Sequence, residues 1–279
     1  MSYYKILGLE KEPFSTSPDP EFFYLSQEHK AALYRLRIAV KLKRGLSVIL
    51  GDIGTGKTTL ARRLFKVVKE EEKALFYMLL NPAYDSQNEF LSYLLELFGL
   101  KSPNASPTTV GYLKEIEKFL FQKSVEEKNT VVLLIDEAQK LTEPCLETLR
   151  TILNYETNEY KILQLILMSQ MELLPRIRSL KNFWDRIALK YVINPLDEGE
   201  TKEMINFRLS QAGYNSRYPI FKDEAISEIY NFTKGYPRKI TMLCHDSLEQ
   251  LIMRKKEFVD KDLVKELVEK EKKLSAIEV

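Results

Sequence analysis

The sequence of 279 residues predicts an α/β fold in which helices cover both faces of a parallel sheet, followed by an all-α domain. Short, wholly apolar runs alternate with amphipathic stretches, and this pattern is typical of parallel strands that are buried on both faces. The runs lie at 47–50, 74–80, 131–135 and 162–168. After Pro195 only helical periodicity remains, so we expect a domain boundary near residue 195. The helices predicted beyond it span 198–212, 222–233, 237–253 and 260–272.

The N-terminal part has a different composition. Residues 1–25 are rich in proline and aromatic residues, and the closely spaced prolines exclude a continuous helix. We expect an irregular leader whose aromatic side chains pack onto the body, then a helix over 26–43 with Ser26 as its N-cap. The other predicted elements are helices at 57–69, 87–98, 109–123 and 143–156 and a last strand near 191–193. The predicted parts are therefore 1–44 as leader and helix packing on the core, 45–195 as the α/β core and 196–279 as the helical domain.

Composition excludes several classes of protein. Hydrophobic residues make up 44% of the chain and charged residues 29%, a balance that supports a folded core. The net charge of +2 predicts no global positive field, so any basic surface must be local. Two distant cysteines, Cys145 and Cys244, are too few for a disulfide framework and are expected to be buried. No apolar run approaches the length of a membrane-spanning helix and no signal segment is visible, so we expect a soluble, cytoplasmic protein.

A phosphate-binding loop is the strongest motif. The segment from Gly51 to Thr58 matches G-x-x-x-x-G-K-[ST] at every fixed position, directly after a predicted strand and at the start of a predicted helix. Its glycines let the backbone approach phosphates, and the free N–H groups of the helix start favour anionic oxygens. We expect Lys57 to reach the β- and γ-phosphates of ATP and the Thr58 hydroxyl to ligate Mg²⁺. The predicted nucleotide-binding residues are Gly51, Asp52, Ile53, Gly54, Thr55, Gly56, Lys57, Thr58 and Thr59.

A second motif follows the strand at 131–135, which ends in Asp136 and Glu137. A carboxylate at a strand end beside a phosphate loop can hold Mg²⁺, and we assign this role to Asp136. The neighbouring Glu137 can act as the general base that polarises an attacking water. An apolar run followed by two acids is weak evidence alone, and it becomes strong together with the phosphate loop.

Three further residues carry less decisive signals. Gln170 closes the next predicted strand, where its amide can orient the attacking water or sense the γ-phosphate. The alternative is a polar cap at a position where a strand leaves the sheet. Arg186 and Arg238 have no obvious acidic partners in the sequence, so each is either a surface arginine or a functional cation. Composition and spacing do not decide between these alternatives.

Taken together, the segments resemble the ExeA (GspA) family of AAA+ ATPases, which is related to transposition-regulator ATPases. The phosphate-loop pattern is shared by many NTPases, whereas the leader, the DEAQ motif, the NYET stretch and the G-x-P-R element are more specific. The segments that carry the resemblance are YYKILGLEKEPFSTSPDPEFFYLSQEHKAAL, GDIGTGKTTLARRL, LLIDEAQKL, ETLRTILNYET, ILQLILMSQMELL, INPLDEGET, RLSQAGY and GYPRKITMLC.

The resemblance implies an AAA+ core followed by a helical lid, in agreement with the boundary near 195. It implies that Asp136 and Glu137 form the Walker B pair and that Gln170 is the sensor 1 residue. It also implies that Arg186, in a DRI stretch similar to the family's qRI, is an arginine finger, and that Arg238 is the sensor 2 arginine of the lid. A finger supplied by a neighbouring subunit makes hydrolysis depend on homo-oligomerisation.

Two departures from the family pattern matter. Where the family commonly has G-Q-P-E-L after sensor 1, this chain has Ser169-Gln170-Met171-Glu172-Leu173, which changes the chemistry of the turn. The fuller secretion members also carry a transmembrane helix and a peptidoglycan-binding domain after the ATPase. The sequence to Val279 contains neither, so we expect no direct contact with the cell wall and no insertion into the membrane.

Three functions are compatible with these observations. The first is a motor ATPase that a membrane component recruits to a secretion or pilus machine. The second is a regulator that oligomerises on duplex DNA and recruits a transposase-type protein, and the third is a nucleotide switch that hydrolyses little, against which an intact Glu137 argues. The basic residues that suit DNA phosphates are Lys30, Arg37, Lys41, Arg44, Arg62 and Arg63. Because the net charge is only +2, the alternative for these residues is a solvated helix face.

Overall fold

The structure is a computed structural model that describes residues 3–17, 19–71, 74–101 and 108–275. Its contacts divide the chain into two compact units. The sheet unit comprises Gln27–Ile53 and Leu60–Ile193. The helical unit comprises the described residues of Met1–Ser26, Gly54–Thr59 and Asn194–Val279. The leader, which we predicted to pack on the α/β core together with the helix that follows it, is thus assigned to a different unit from that helix.

Five parallel strands form a single sheet with the order β2-β3-β4-β1-β5, as the fold class predicts. The strands are β1 (Leu46–Gly51), β2 (Ala74–Leu79), β3 (Thr130–Ile135), β4 (Leu163–Ser169) and β5 (Ile187–Ile193). The helices are α1 (Tyr3–Ile6), α2 (Gln27–Lys41), α3 (Lys57–Glu71), α4 (Gln87–Leu97), α5 (Thr109–Phe121), α6 (Glu143–Ile152), α7 (Leu173–Ser179), α8 (Lys181–Trp184), α9 (Glu198–Gln211), α10 (Asp223–Thr233), α11 (Pro237–Met253) and α12 (Lys261–Ser275).

The elements differ from the predicted ones in a few places. β5 begins at residue 187 instead of 191, because this edge strand exposes Ala188, Lys190 and Val192 and therefore lacks a continuous apolar run. α6 ends at Ile152 instead of 156, since the chain then turns and an antiparallel bridge joins Glu156 to Lys161. The short helices α1, α7 and α8 were not predicted.

The sheet unit is held together by apolar packing on both faces of the central strands. All residues from Val131 to Ile135 in β3 are fully buried, as expected for a strand with a neighbour on each side and helices on each face. Phe90 and Leu94 of α4 and Phe119 of α5 belong to the same core.

Cys145 is buried in this unit and Cys244 is buried in the helical unit, and both are free thiols. This confirms the prediction made from their apolar neighbours. None of the described helices has the length and apolar character needed to cross a membrane.

In the helical unit, the leader packs against the C-terminal helices. Phe14 is almost fully buried in the core formed by α9 to α12. The buried Arg208 of α9 holds this segment, because its Nε donates to the Pro13 carbonyl at 2.7 Å and its Nη2 donates to the Ser15 carbonyl at 2.8 Å. Burial lowers the pKa of Arg208 to about 10, so the guanidinium remains charged at neutral pH. Two carbonyls therefore fix the leader to α9 through one cation.

Gly235 is expected to be essential for the stability of the helical unit. Its φ is +75°, and a Cβ at this position would overlap the Leu196 carbonyl oxygen, while the Leu196 N–H donates to the Gly235 carbonyl at 2.9 Å. We expect Gly235→Ala to destabilise the protein by roughly 2 kcal/mol or more, because strain and steric overlap add together. Gly8→Ala is the matched control, since Gly8 has a φ of +72° and open space around it. Equal losses in thermal or urea unfolding for the two variants would contradict the packing argument.

Candidate active site at the carboxyl edge of the sheet

The residues predicted to carry chemistry follow three neighbouring strands of the sheet unit. β3, β4 and β1 are adjacent and parallel, so their carboxyl ends lie at the same edge. Gly51 ends β1, Ser169 ends β4 and Asp136 directly follows β3. Polar groups at the carboxyl ends of parallel strands are the usual position for a ligand site in an open α/β sheet.

Asp136 and Glu137 occupy different environments. Asp136 is 2% exposed, and its Oδ1 accepts the Glu137 backbone N–H at 2.9 Å. The Asp136 N–H donates to the Leu79 carbonyl at 2.8 Å, which ties the start of this turn to β2. Glu137 is half-buried and has left-handed backbone angles of φ 54° and ψ 36°, which are uncommon for a residue with a side chain. The turn thus holds one carboxylate in the interior and leaves the next one partly accessible.

Two side-chain amides converge on the Glu137 carboxylate. Gln139 Nε2 donates to Glu137 Oε2 at 2.7 Å, and Gln170 Nε2 approaches the same oxygen at 3.4 Å. The structure therefore brings the predicted residues Glu137 and Gln170 together. It adds Gln139, to which we assigned no role from the sequence. A polar side chain two residues after the candidate base, within the DEAQ motif, was the available signal.

Arg176 is a second residue beside the candidate site that we did not predict from the sequence. Its Nη1 donates to the Gln139 carbonyl at 2.6 Å, and its Nη2 donates to the Leu141 carbonyl. Arg176 lies in α7, a helix that was not predicted because Pro175 interrupts its pattern. This guanidinium fixes the backbone of the turn that follows Glu137.

The phosphate loop has the backbone that its glycines predict. Gly54 and Gly56 have φ of +81° and +94°, and α3 begins at Lys57. Thr55 is fully buried and Lys57 is 5% exposed. Within the helical unit, the Arg238 N–H donates to the Gly54 carbonyl at 3.2 Å, and a Cβ on Gly54 would lie 2.9 Å from the Arg238 Cβ. Arg238 therefore lies directly beside the loop, at the start of α11.

Arg186 lies at the opposite edge of the sheet. It immediately precedes β5, whose first residue, Ile187, is paired with Leu46 at the start of β1. Its Nη1 donates to the Arg150 carbonyl at 2.8 Å. The length of β1 separates this edge from the carboxyl edge by roughly 17 Å, which is further than an arginine side chain extends.

The predicted basic residues differ in exposure. Lys30, Lys41 and Arg44 are exposed on or just after α2, whereas Arg37 is half-buried. Arg62 and Arg63 are half-buried on α3.

The exposed face of α2 also carries an apolar row, in which Tyr34 is 64%, Ile38 is 40% and Leu42 is 55% exposed.

Comparison with known proteins agrees with this architecture. Residues 40–177 match the model of an AAA domain. The chain is 32% identical over 248 residues to general secretion pathway protein A of Aeromonas hydrophila, and the match covers 88% of this chain. The chain is an ExeA/GspA-like AAA+ protein. It spans 44% of the length of that relative.

Solved structures of other AAA+ proteins share the fold. The ORC2 protein of Aeropyrum pernix superposes with a TM-score of 0.64 at 17% identity, over 88% of this chain and 67% of that one. Cdc6p of Pyrobaculum aerophilum gives 0.65 at 16% identity, over 88% and 67%. The RuvB Holliday junction branch migration motor of Thermotoga maritima gives 0.57 at 18% identity, over 88% and 69%. This AAA+ P-loop fold implies nucleotide binding.

Proposed function

We propose that this chain binds and hydrolyses ATP with Mg²⁺ as a homo-oligomer and acts as a cytoplasmic motor or assembly ATPase for a secretion or pilus machine. The observation that carries the catalytic part is the set of hydrogen bonds that gathers Glu137, Gln139 and Gln170 at the ends of β3 and β4. These strands stand beside β1, which leads into the phosphate loop. The proposed division into an AAA+ core over 45–195 and a lid over 196–279 belongs to the same interpretation.

The chemistry of the residues supports ATP hydrolysis. Residues 51–59 would hold the phosphates through backbone N–H groups and Lys57, and Arg238 beside the loop would face the same anion. Glu137 would accept a proton from water, with Gln170 orienting that water. Thr58 and Asp136 offer the hydroxyl and carboxylate oxygens that Mg²⁺ prefers, and the Glu137 N–H holds one Asp136 oxygen in place. When bound, Mg²⁺ neutralises charge that develops on the phosphate oxygens.

If Arg186 takes part in hydrolysis, its position requires a second subunit. Since Arg186 lies at the amino edge of its own sheet, it would contribute to hydrolysis only at the carboxyl edge of another subunit. The Arg150 carbonyl would orient its guanidinium before a subunit interface forms. We therefore keep Arg186 as the proposed arginine finger, acting in trans.

We expect Arg186→Ala to lower ATP turnover by about 10³-fold while ATP binding is retained, because the cation offsets charge only in the transition state. Mixing this variant with Lys57→Ala protein should restore part of the activity, since each variant supplies what the other lacks. Arg178→Ala, which removes an exposed arginine of α7, is the control. Absence of rescue at every mixing ratio would exclude a finger that acts in trans.

Two observations favour a protein as the partner of this chain. The relative that matches over 88% of this chain is a general secretion pathway protein. In addition, the row formed by Tyr34, Ile38 and Leu42 presents apolar surface, which suits a protein partner better than a phosphate backbone. A membrane component would have to bring the chain to such a machine.

Duplex DNA is the second candidate partner, with a transposase-type protein as the recruited factor. Exposed Lys30, Lys41 and Arg44 favour it, and structures that share the fold include Drosophila ORC bound to DNA and the Aeropyrum pernix ORC1 protein in complex with DNA. Both share only 16–17% identity with this chain, so they support the alternative through fold alone.

Steady-state ATP hydrolysis with and without duplex DNA, at low and high salt, tests these proposals. Hydrolysis that does not respond to DNA is expected for a motor that is activated by a protein. Stimulation that disappears as salt increases would favour the DNA regulator, because phosphate contacts weaken with salt. Absence of turnover under every condition, with ATP still bound, would favour the nucleotide switch over both.

A further inference from the structure

Gln139 makes contacts at both ends of its side-chain amide. On one side, Nε2 donates to Glu137 Oε2 at 2.7 Å. On the other, Oε1 accepts the Ser169 hydroxyl at 3.0 Å and the Gln170 backbone N–H at 3.2 Å. One amide thus joins the turn after β3 to the end of β4.

These partners determine which way the amide points. The Gln170 N–H can only donate, so it requires the oxygen of Gln139 on the β4 side. The NH₂ group must then face Glu137, where a carboxylate can only accept. The orientation of Gln139 is therefore fixed by its hydrogen-bonding partners, and a flipped amide would lose contacts at both ends.

The backbone beneath Gln139 is also held. Arg176 Nη1 donates to the Gln139 carbonyl at 2.6 Å, and the Lys140 N–H donates to the Glu137 carbonyl at 2.9 Å. These contacts stabilise a turn that keeps Glu137 in the left-handed region at φ 54°. The backbone that carries Gln139 is therefore held by hydrogen bonds. This restricts how far the Gln139 amide can move away from Glu137.

Both amide contacts to Glu137 use the same oxygen. Gln139 and Gln170 approach Oε2, and within the described part of the sheet unit no donor is bonded to Oε1. A carboxylate held through one oxygen keeps its other oxygen directed at a fixed point. Because Gln170 approaches at 3.4 Å and Gln139 at 2.7 Å, Gln139 makes the stronger of the two contacts.

We propose that Gln139 is a positioning residue for ATP hydrolysis, which holds Glu137 through Oε2 so that Oε1 faces the attacking water. In that step the water oxygen bonds to the γ-phosphorus and its proton passes to Glu137 Oε1. The bond from the γ-phosphorus to the bridging oxygen breaks, and ADP leaves with the electron pair. Gln139 touches none of the reacting atoms, and it couples the base to the end of β4 that carries Gln170. This inference rests on the proposed function.

The first test uses Gln139→Leu, which removes both sets of hydrogen bonds, and Gln139→Glu, which keeps the shape but replaces the donor with an acceptor. We expect kcat to fall by about 10- to 10²-fold in each, the scale for loss of a supporting hydrogen bond, with KM for ATP unchanged. Binding of a non-hydrolysable ATP analogue and the melting temperature show whether the variants are folded. Unchanged kcat, or equal changes in kcat and analogue binding, would overturn the proposal.

A double-mutant cycle separates positioning from a general structural role. If Gln139 acts through Glu137, then adding Gln139→Leu to Glu137→Gln should cause no further loss in single-turnover rate. A further loss equal to that in the wild-type background would show that Gln139 acts independently of Glu137 and would overturn the proposal. Failure of the proposed function is distinct, since in that case the wild-type protein itself would not hydrolyse ATP.

Discussion

Replacing Lys57 with alanine is expected to weaken ATP binding by roughly 10²-fold or more, because it would remove the charge-assisted hydrogen bond that we propose Lys57 makes to the phosphates. Lys57 is 5% exposed and is the first residue of α3, and the free N–H groups at that helix N-terminus would favour the same anion. Equilibrium binding of a fluorescent ATP analogue measures the effect.

Lys66→Ala is the matched control for this prediction. Lys66 lies on the same helix, is exposed, and stands outside the phosphate loop. Its loss changes the net charge by the same amount and should leave binding unchanged. If Lys57→Ala binds the analogue as well as Lys66→Ala does, the loop is not the phosphate site.

Replacing Glu137 with glutamine is expected to slow ATP turnover by at least ~10²-fold while binding is retained, since an amide cannot accept the proton of the attacking water. The side chain keeps its size, so the turn that connects β3 to the end of β4 should persist. Single-turnover hydrolysis and analogue binding, measured on the same preparation, separate the chemical step from affinity.

Glu159→Gln, which neutralises an exposed acid in the turn before β4, controls for the change in charge. Near-normal turnover in Glu137→Gln would remove this residue from the role of base. Wild-type turnover that is already as slow as that of the variant would instead identify the chain as a nucleotide switch.

The local sequence pattern is sufficient to predict most of the strands of the sheet. Four strands appear as continuous apolar runs, and their observed bounds agree closely with the predicted ones. Three of them, β1, β3 and β4, are buried, whereas the edge strand β2 is mostly half-buried. β5 was predicted too short, because this strand alternates between more exposed and more buried residues and lacks a continuous apolar run. α7 was missed because Pro175 interrupts the pattern, although proline is tolerated in the first turn of a helix, where the N–H groups need no partner.

The candidate site separates into local and non-local parts in the same way. The phosphate loop is one contiguous segment of the chain, and the Asp136–Glu137 pair is another. The local sequence pattern is therefore enough to predict each of them. Gln139 and Arg176 are 37 residues apart, and their contact depends on how α7 packs against the turn after β3. No periodicity in either segment indicates that contact.

The sequence by itself determined the α/β class, the phosphate loop and the identity of the two acids, because each depends on neighbours within a few positions. Only the tertiary structure decided the strand order, which places β4 between β3 and β1 and so brings Gln170 to Glu137. It also decided that Gln139 donates a hydrogen bond to that carboxylate and that Arg186 lies at the amino edge of the sheet, where the strands begin. The physical reason is that hydrogen bonds between strand ends form only after distant apolar runs have packed into one sheet.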